Sequence, residues 1–301
     1  MIPNFPQFKN IEWSDRKNVE QFTKDFPPYS DFNFVSLWSW NTREKMMLSQ
    51  LHGNLVLLFY DYLTEKPFLS FIGKNYVAYT ASMLIEYSIQ KFQEPCLKLI
   101  PECVAAAIQC NHFEIIPDED SHDYILSVPY LCSLPGLSCN SNPGARGCKK
   151  YFELYPHHAV ATYGTNDIPV NACIDLFKRW AKGKSLNHLE LNEYSAFVRF
   201  IHNKECNSKI LAIYDNRTMI GFAAYELLTE QYVMGHFLKA DSSYSGLNEA
   251  LHFHVSKQLI DHNILYWNYE QDLGIPQLRQ SKRKYKPEFY LKKFTVQRLQ
   301  P

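Results

Sequence analysis

The order of elements readable from residue 170 to residue 296 leaves few folds open to this chain. Two helical stretches, 170–181 and 193–203, come first. A hairpin follows: apolar strands at 209–214 and 218–225 flank the turn Asp215-Asn216-Arg217. A third strand at 231–238 leads into a helix at 246–261. There Leu247, Ala250, Leu251, His254 and Leu259 recur on one side. A strand at 264–269, a short basic helix and a last strand at 289–296 complete the series. Strands that alternate with helices in this way build a mixed sheet covered by helices.

The first half alternates too, less regularly. Strands are expected at 55–60, 96–100, 113–116 and 123–128. Helices are expected at 81–93, where Met83, Leu84, Tyr87 and Phe92 keep helical spacing, and from Pro101 through Gln109. Residues 134–147 hold three Gly and two Pro in fourteen positions and read as a loop or linker. The 301 residues suffice for two domains of about 150 each. The boundary is therefore placed there, giving domains 1–145 and 146–301. Hydrophobic residues at 46% and aromatics at 15% supply both cores.

Charge is distributed unevenly. The chain balances 31 basic against 31 acidic residues, which argues against general coating of nucleic acid. Within 279–293, however, seven Lys/Arg stand against the single Glu288. A local excess of this size, next to Glu270 and Asp272, marks a candidate site for an anionic substrate. No apolar run approaches the roughly 20 residues of a membrane span. Met1-Ile-Pro-Asn-Phe-Pro has no secretory n- and h-region, so a cytoplasmic location is expected. The eight cysteines include no C-x-x-C pair and read as reduced thiols, with no metal site expected from them.

Two stretches carry a resemblance. Asn268-Tyr-Glu-Gln-Asp-Leu-Gly-Ile-Pro-Gln-Leu-Arg-Gln-Ser-Lys282, continued by Tyr285-Lys-Pro287, resembles the C-terminal signature of the phosphatidylglycerol lysyltransferase C-terminal-domain family. Pro28-Tyr-Ser-Asp31-Phe-Asn-Phe-Val-Ser-Leu-Trp38 is similar to that family's opening segment. Asp123-Tyr124 and Tyr155-Pro156 match as well. The family's Lys/Arg-rich segment is reduced here to Arg146, Lys149 and Lys150. The resemblance implies an α/β (α+β) fold of two tandem GNAT-like (acyl-CoA N-acyltransferase-like) domains with mixed sheets, related to the peptidoglycan-bridge aminoacyltransferases. The element order at 170–296 is that of one such unit. The function implied is transfer of an aminoacyl group from aminoacyl-tRNA to a lipid or small polar acceptor. Acetyl-CoA-dependent N-acyl transfer and a non-catalytic binding protein on the same scaffold are the alternatives. No cofactor is fixed; the donor substrate is aminoacyl-tRNA or an acyl-CoA, and a lipid headgroup is a candidate partner.

The site residues follow. Glu270 and Asp272, spaced i and i+2 after a buried strand, can act as a base toward an amine or hydroxyl, or hold an ammonium group. Asp272 can equally cap the next helix while Glu270 pairs with Arg279. On the basic helix Arg279, Lys282, Arg283 and Lys286 fall at i, i+3, i+4 and i+7 and share one face. That face is either solvated or holds phosphates. Arg279 and Lys282 match the family's positions; Tyr285 and Lys286 are grouped with them. In GNAT folds the turn before the central helix grips the coenzyme A pyrophosphate with free amides. Here that turn reads Ser243-Tyr244-Ser-Gly246-Leu-Asn248, with one glycine in place and no basic residue. Tyr244, Gly246 and Asn248 are its candidate contacts; an ordinary loop-to-helix turn is the alternative. His236, on a strand, reads as a core histidine, and His157-His158 as surface.

Overall fold

The computed structural model describes residues 1–62, 64–108, 112–140, 142–182, 188–229 and 231–299. Gln109 and Cys110 therefore lie outside the described residues. The chain divides into two compact units, Met1–Asp123 with Leu291–Pro301, and Tyr124–Tyr290.

The first unit runs β1 (Lys9–Asn10), α1 (Arg16–Thr23), α2 (Phe34–Trp40), β2 (Met47–Leu51), β3 (Asn54–Tyr60), β4 (Pro67–Ile72), α3 (Val77–Phe92), β5 (Cys96–Pro101), α4 (Glu102–Ala107) and β6 (Phe113–Pro117). The second holds β7 (Asp123–Ser127) from Tyr124 onward, then α5 (Val128–Ser133), α6 (Pro143–Leu154), β8 (Ala159–Gly164), α7 (Val170–Ala181) and α8 (His188–His202). It continues with β9 (Lys209–Asp215), β10 (Thr218–Leu227), β11 (Tyr232–Ala240), α9 (Leu247–Ile260), β12 (Tyr266–Asn268), α10 (Pro276–Arg283) and β13 (Phe289–Leu291). The last strand, β14 (Lys293–Arg298), returns to the first unit.

Each unit is a mixed seven-stranded sheet, ordered β1-β2-β3-β4-β5-β14-β6 and β13-β7-β12-β11-β10-β9-β8. The plans correspond. Three antiparallel strands (β2-β3-β4; β9-β10-β11) lead into a helix (α3; α9). That helix crosses to a strand parallel to the third, giving β4/β5 and β11/β12. A parallel neighbour requires such a crossover, and a helix is the usual one. The meander turns are tight: Asn216 and Arg217 (φ 47° and 68°) join β9 to β10, and His52 and Gly53 (φ 53° and 77°) join β2 to β3. Two successive left-handed residues match the twist of the paired strands. The sheet beside the new parallel strand is filled by a distant segment: β14 pairs with β5, and β7 with β12.

Two expectations are corrected. The strand expected at 289–296 is two strands, which enter different sheets. The boundary at 145/146 falls within α6, and the contacts divide the chain elsewhere. From Pro143 onward the Gly/Pro-rich run is helical because Asn142 caps it, its side chain accepting from the Ala145 amide at 3.1 Å, and Pro143 occupies the first turn. Its glycines serve close packing: a Cβ on Gly147 would sit 2.7 Å from the Glu249 side chain.

The first unit is closed by a buried charge cluster. The Lys293 ammonium, without solvent exposure, donates to Asp31, to Asp123 at 2.7 Å and to Ser30 Oγ at 3.3 Å. Ser30 in turn donates its amide (2.7 Å) and hydroxyl (2.6 Å) to Asp123. Burial alone would lower the lysine's pKa, but the two carboxylates outweigh it and hold the pKa above its ordinary value. Removing one partner of such a cluster leaves uncompensated buried charge. Lys293→Met is expected to cost about 3–5 kcal/mol in urea unfolding, and adding Asp31→Asn to recover part of it. A loss below about 1 kcal/mol would contradict the cluster's structural role.

Candidate functional site

The chain does not continue as a strand beyond Asn268. Glu270, Leu273 and Gly274 are left-handed (φ 58°, 55° and 70°), and the segment coils into a compact turn. Asn268 Oδ1 accepts the Glu270 amide at 2.8 Å, and Asp272 Oδ1 accepts that of Gly274 at 2.9 Å. Glu270 and Asp272 are consequently placed in different surroundings. Glu270 is half-buried, whereas Asp272 has no exposure.

Asp272 is saturated with donors. Arg279 forks onto it, Nε to Oδ2 at 2.8 Å and Nη2 to Oδ1 at 2.9 Å. The Tyr124 hydroxyl donates to Oδ2, and the Gly274 amide completes the set. Burial by itself would raise the carboxyl's pKa. The Arg279 and Tyr124 hydrogen bonds and the Gly274 amide overcome this and hold it below the ordinary carboxylate value. A carboxylate so stabilised as the anion is a poor base near neutral pH. Asp272 positions Arg279. Burial and the Asp272 contact push Tyr124 up to about 12, so this phenol stays a donor.

The four cations expected on one helical face have separate fates. Arg279 is bound to Asp272. Lys282 is buried; it donates to the Tyr269 carbonyl, with its ammonium 4.6 Å from the Tyr269 ring centre. The helix ends at Arg283, so Lys286 (φ 51°) lies beyond it. Arg283 and Lys286 are exposed, as are Arg146 and Lys150 of α6. α6 and the 284–286 segment are neighbours: Gly144 faces the Lys284 carbonyl, and Lys284 pairs with Glu249 at 2.7 Å. The three basic residues left from the family's segment are thus carried on a helix beside this cationic stretch.

At the turn before α9, Tyr244 donates to Asp215 at 2.9 Å, and Asn248 is exposed while its carbonyl accepts from His252 Nδ1 at 2.7 Å. Gly246 (φ 83°) lies against α6: a Cβ there would stand 2.1 Å from the Gly147 carbonyl oxygen. Glu249 occupies the first turn of α9. The start of this helix is therefore covered by a backbone carbonyl and a carboxylate. Behind it, His252 stacks on Tyr285 (ring centres 3.9 Å) and Trp267 (5.1 Å), with Tyr269 edge-on at 4.9 Å. Tyr285, expected to contact an anion, is instead buried in this stack. The stack uses a close approach at Gly235, where a Cβ would lie 2.3 Å from Trp267 Nε1.

The family model for the C-terminal part of phosphatidylglycerol lysyltransferase matches residues 29–297. The chain belongs to this family. Among solved structures, a conserved protein of unknown function from Bacteroides thetaiotaomicron is 23% identical, with TM-score 0.81 over 99% of this chain and 100% of that one. The structure of L-PGS from Bacillus licheniformis is 11% identical (TM-score 0.59; 96% and 93% covered), and that of FemX is 8% identical (0.56; 96% and 96%). At these identities the likeness establishes the fold, two tandem GNAT-like units. No curated protein matches the sequence. No helix among the described residues is long and apolar enough to cross a membrane.

Sequence reasoning missed several residues of this family member. In the sequence Tyr124 shows only as a motif match, Lys284 only as one of seven cations in 279–293, and Glu249 and His252 not at all; their partners lie 35 to 148 positions away or, for His252, in aromatic rings of other elements. His236 is buried as expected, yet its Nε2 lies 3.5 Å from the Glu226 carboxylate, beside the bulge where β10 and β11 shift register.

Acid should expose the buried imidazoles. Burial pushes His252 down to about 3; the hydrogen bond to the Asn248 carbonyl opposes it, and the Lys284 and Lys282 charges add smaller contributions in the same direction as burial. With its folded pKa below the unfolded value, the unfolded chain binds the extra proton, and stability falls as pH drops below about 6.5. His252→Phe should reduce that slope by up to about 1.4 kcal/mol per pH unit in denaturant titrations between pH 6.5 and 4.5. An unchanged slope would mean that this imidazole is solvated.

Proposed function

We propose that this chain transfers an aminoacyl group from aminoacyl-tRNA to the amine or hydroxyl of a lipid or small polar acceptor. The observation that carries the choice of donor is the covered start of α9. In a coenzyme A-dependent unit this turn presents free amides to a pyrophosphate. Here the Gly147 carbonyl and the Glu249 carboxylate stand at that place. The carbonyl oxygen would repel an anion, and Glu249, paired with Lys284 at 2.7 Å, takes up the nearby ammonium; this argues against the acetyl-CoA alternative. The exposed cations Arg146, Lys150, Arg283 and Lys286 offer a surface for the phosphates of a polyanion instead.

The chemistry asked of the protein is modest. The donor's ester is already activated. The acceptor's nitrogen or oxygen bonds to the ester carbon, the bond to the tRNA ribose oxygen breaks, and the acceptor proton leaves to a base or to the departing oxygen. Orientation and stabilisation of the developing oxyanion are then the main requirements. Of the two candidate carboxylates, half-buried Glu270 is assigned to the ammonium or proton, because Asp272 is committed to Arg279.

The test is binding and transfer with aminoacylated and uncharged tRNA, acetyl-CoA, and vesicles containing phosphatidylglycerol. Salt-dependent binding of charged tRNA is expected, with the log–log salt slope reduced by about two in Arg283→Glu/Lys286→Glu. Glu270→Gln should lose transfer without losing thermal stability, whereas Asp272→Asn should lose stability as well. Saturable stabilisation by acetyl-CoA would overturn the donor assignment. No response to any donor would leave a binding protein on a transferase scaffold.

A further inference from the structure

Among the described residues the two sheets have four edge strands, and three of these are guarded. β1 has two residues, one of them Lys9. β13 has three, set between Glu288 and Lys292. β6 carries Glu114 and ends on Pro117. Short length, charge and proline are the devices that keep an open edge from pairing with another chain. β8 has none of them. Its six residues, Ala159-Val-Ala-Thr-Tyr-Gly164, include no charge and no proline. Among the described residues no backbone group of Ala159–Tyr163 is bonded on the side away from β9. The edge is also held in place. The Tyr163 and Tyr214 hydroxyls meet at 2.9 Å, and Gln258 donates to Thr162 Oγ1 at 2.6 Å. Of the two histidines expected at the surface, His157 is exposed, but His158 is half-buried against α9. Its Nε2 lies 2.9 Å from Nε2 of His254, a plain hydrogen bond that fixes the entry to the strand. A strand so fixed loses little conformational freedom when it pairs.

We propose that β8 pairs antiparallel with β8 of a second copy of this chain, about a two-fold axis at Thr162, joining two seven-stranded sheets into one. A second copy fits better than a foreign peptide because the strand complements itself. In this register Val160 lies opposite Gly164 of the second copy, and Ala161 lies opposite Tyr163. Each pair sets a larger side chain against a small one. Thr162 meets Thr162, a favourable cross-strand pair. His157 is brought toward the turn that carries Asp167, whose carboxylate can accept an imidazole N–H. No like charges face one another. The whole chain, with 31 basic and 31 acidic residues, has no net charge to hold two copies apart. Val160, 37% exposed in the single chain, gains cover. The edge is short, which places the interface in the small class, under about 1,200 Å², and makes the dimer reversible.

Sedimentation equilibrium of the full chain over a range of concentrations tests the pairing. The mass should rise from one copy toward two. Thr162→Lys sets two ammonium groups opposite each other at the axis and should weaken self-association several-fold. Thr162→Glu should do the same, and mixing the two variants should restore dimers of mixed composition. That recovery separates a lost pairing from a misfolded variant. A mass that stays at one copy at millimolar protein, leaving the edge to an extended peptide of another chain, would overturn the proposal. So would self-association that Thr162→Lys does not weaken, or that the mixture does not restore.

Discussion

A single ammonium group without access to water holds the first unit together. Lys293 is brought in by a strand more than 160 residues beyond its partners, and it meets Asp31 together with Asp123 and Ser30, which are joined to each other. One positive charge faces two negative ones, so the cluster is stable only while every donor stays in place; buried ion clusters are demanding in this way. Because β14 carries Lys293 and also pairs with both β5 and β6, the electrostatic closure and the completion of the sheet are one event.

The second unit uses a different device at the corresponding stage. Its sheet beside β12 is completed by β7, and the turn after β12 is locked by Asp272 against Arg279 and Tyr124. Tyr124 lies on β7, so the carboxylate that coils the turn also fixes the inserted strand to it. Both units thus place a buried carboxylate on an inserted strand or against one. The family signature near Asp272 and the Asp31 and Asp123 matches fall at these closures.

Much of the second unit was legible. Helices 170–181 and 246–261 and the hairpin at 215–217 were set by apolar periodicity and turn residues, which act locally. The basic face was not, because helical spacing places side chains on a cylinder without saying where the helix stops or which side is covered. α10 ends at Arg283, and Lys282 turns inward under two tyrosine rings. The run at 134–147 misled for a related reason. Glycine and proline usually mark a linker, but here proline opens a helix and glycine lets two backbones touch. Lys293 could not be singled out at all, since neighbouring Lys292 is equally basic and only the sheet decides which of them is enclosed.

The return of β14 to the first sheet also dictates an order of assembly. During synthesis a chain normally completes its N-terminal domain first. Here residues 124–290 form a continuous unit that can close as soon as it leaves the ribosome. The first unit must wait with β5 and β6 held apart until residues near 298 are made. Of the two units the first is therefore the later to complete its sheet, and until β14 arrives the facing edges of β5 and β6 stay unpaired.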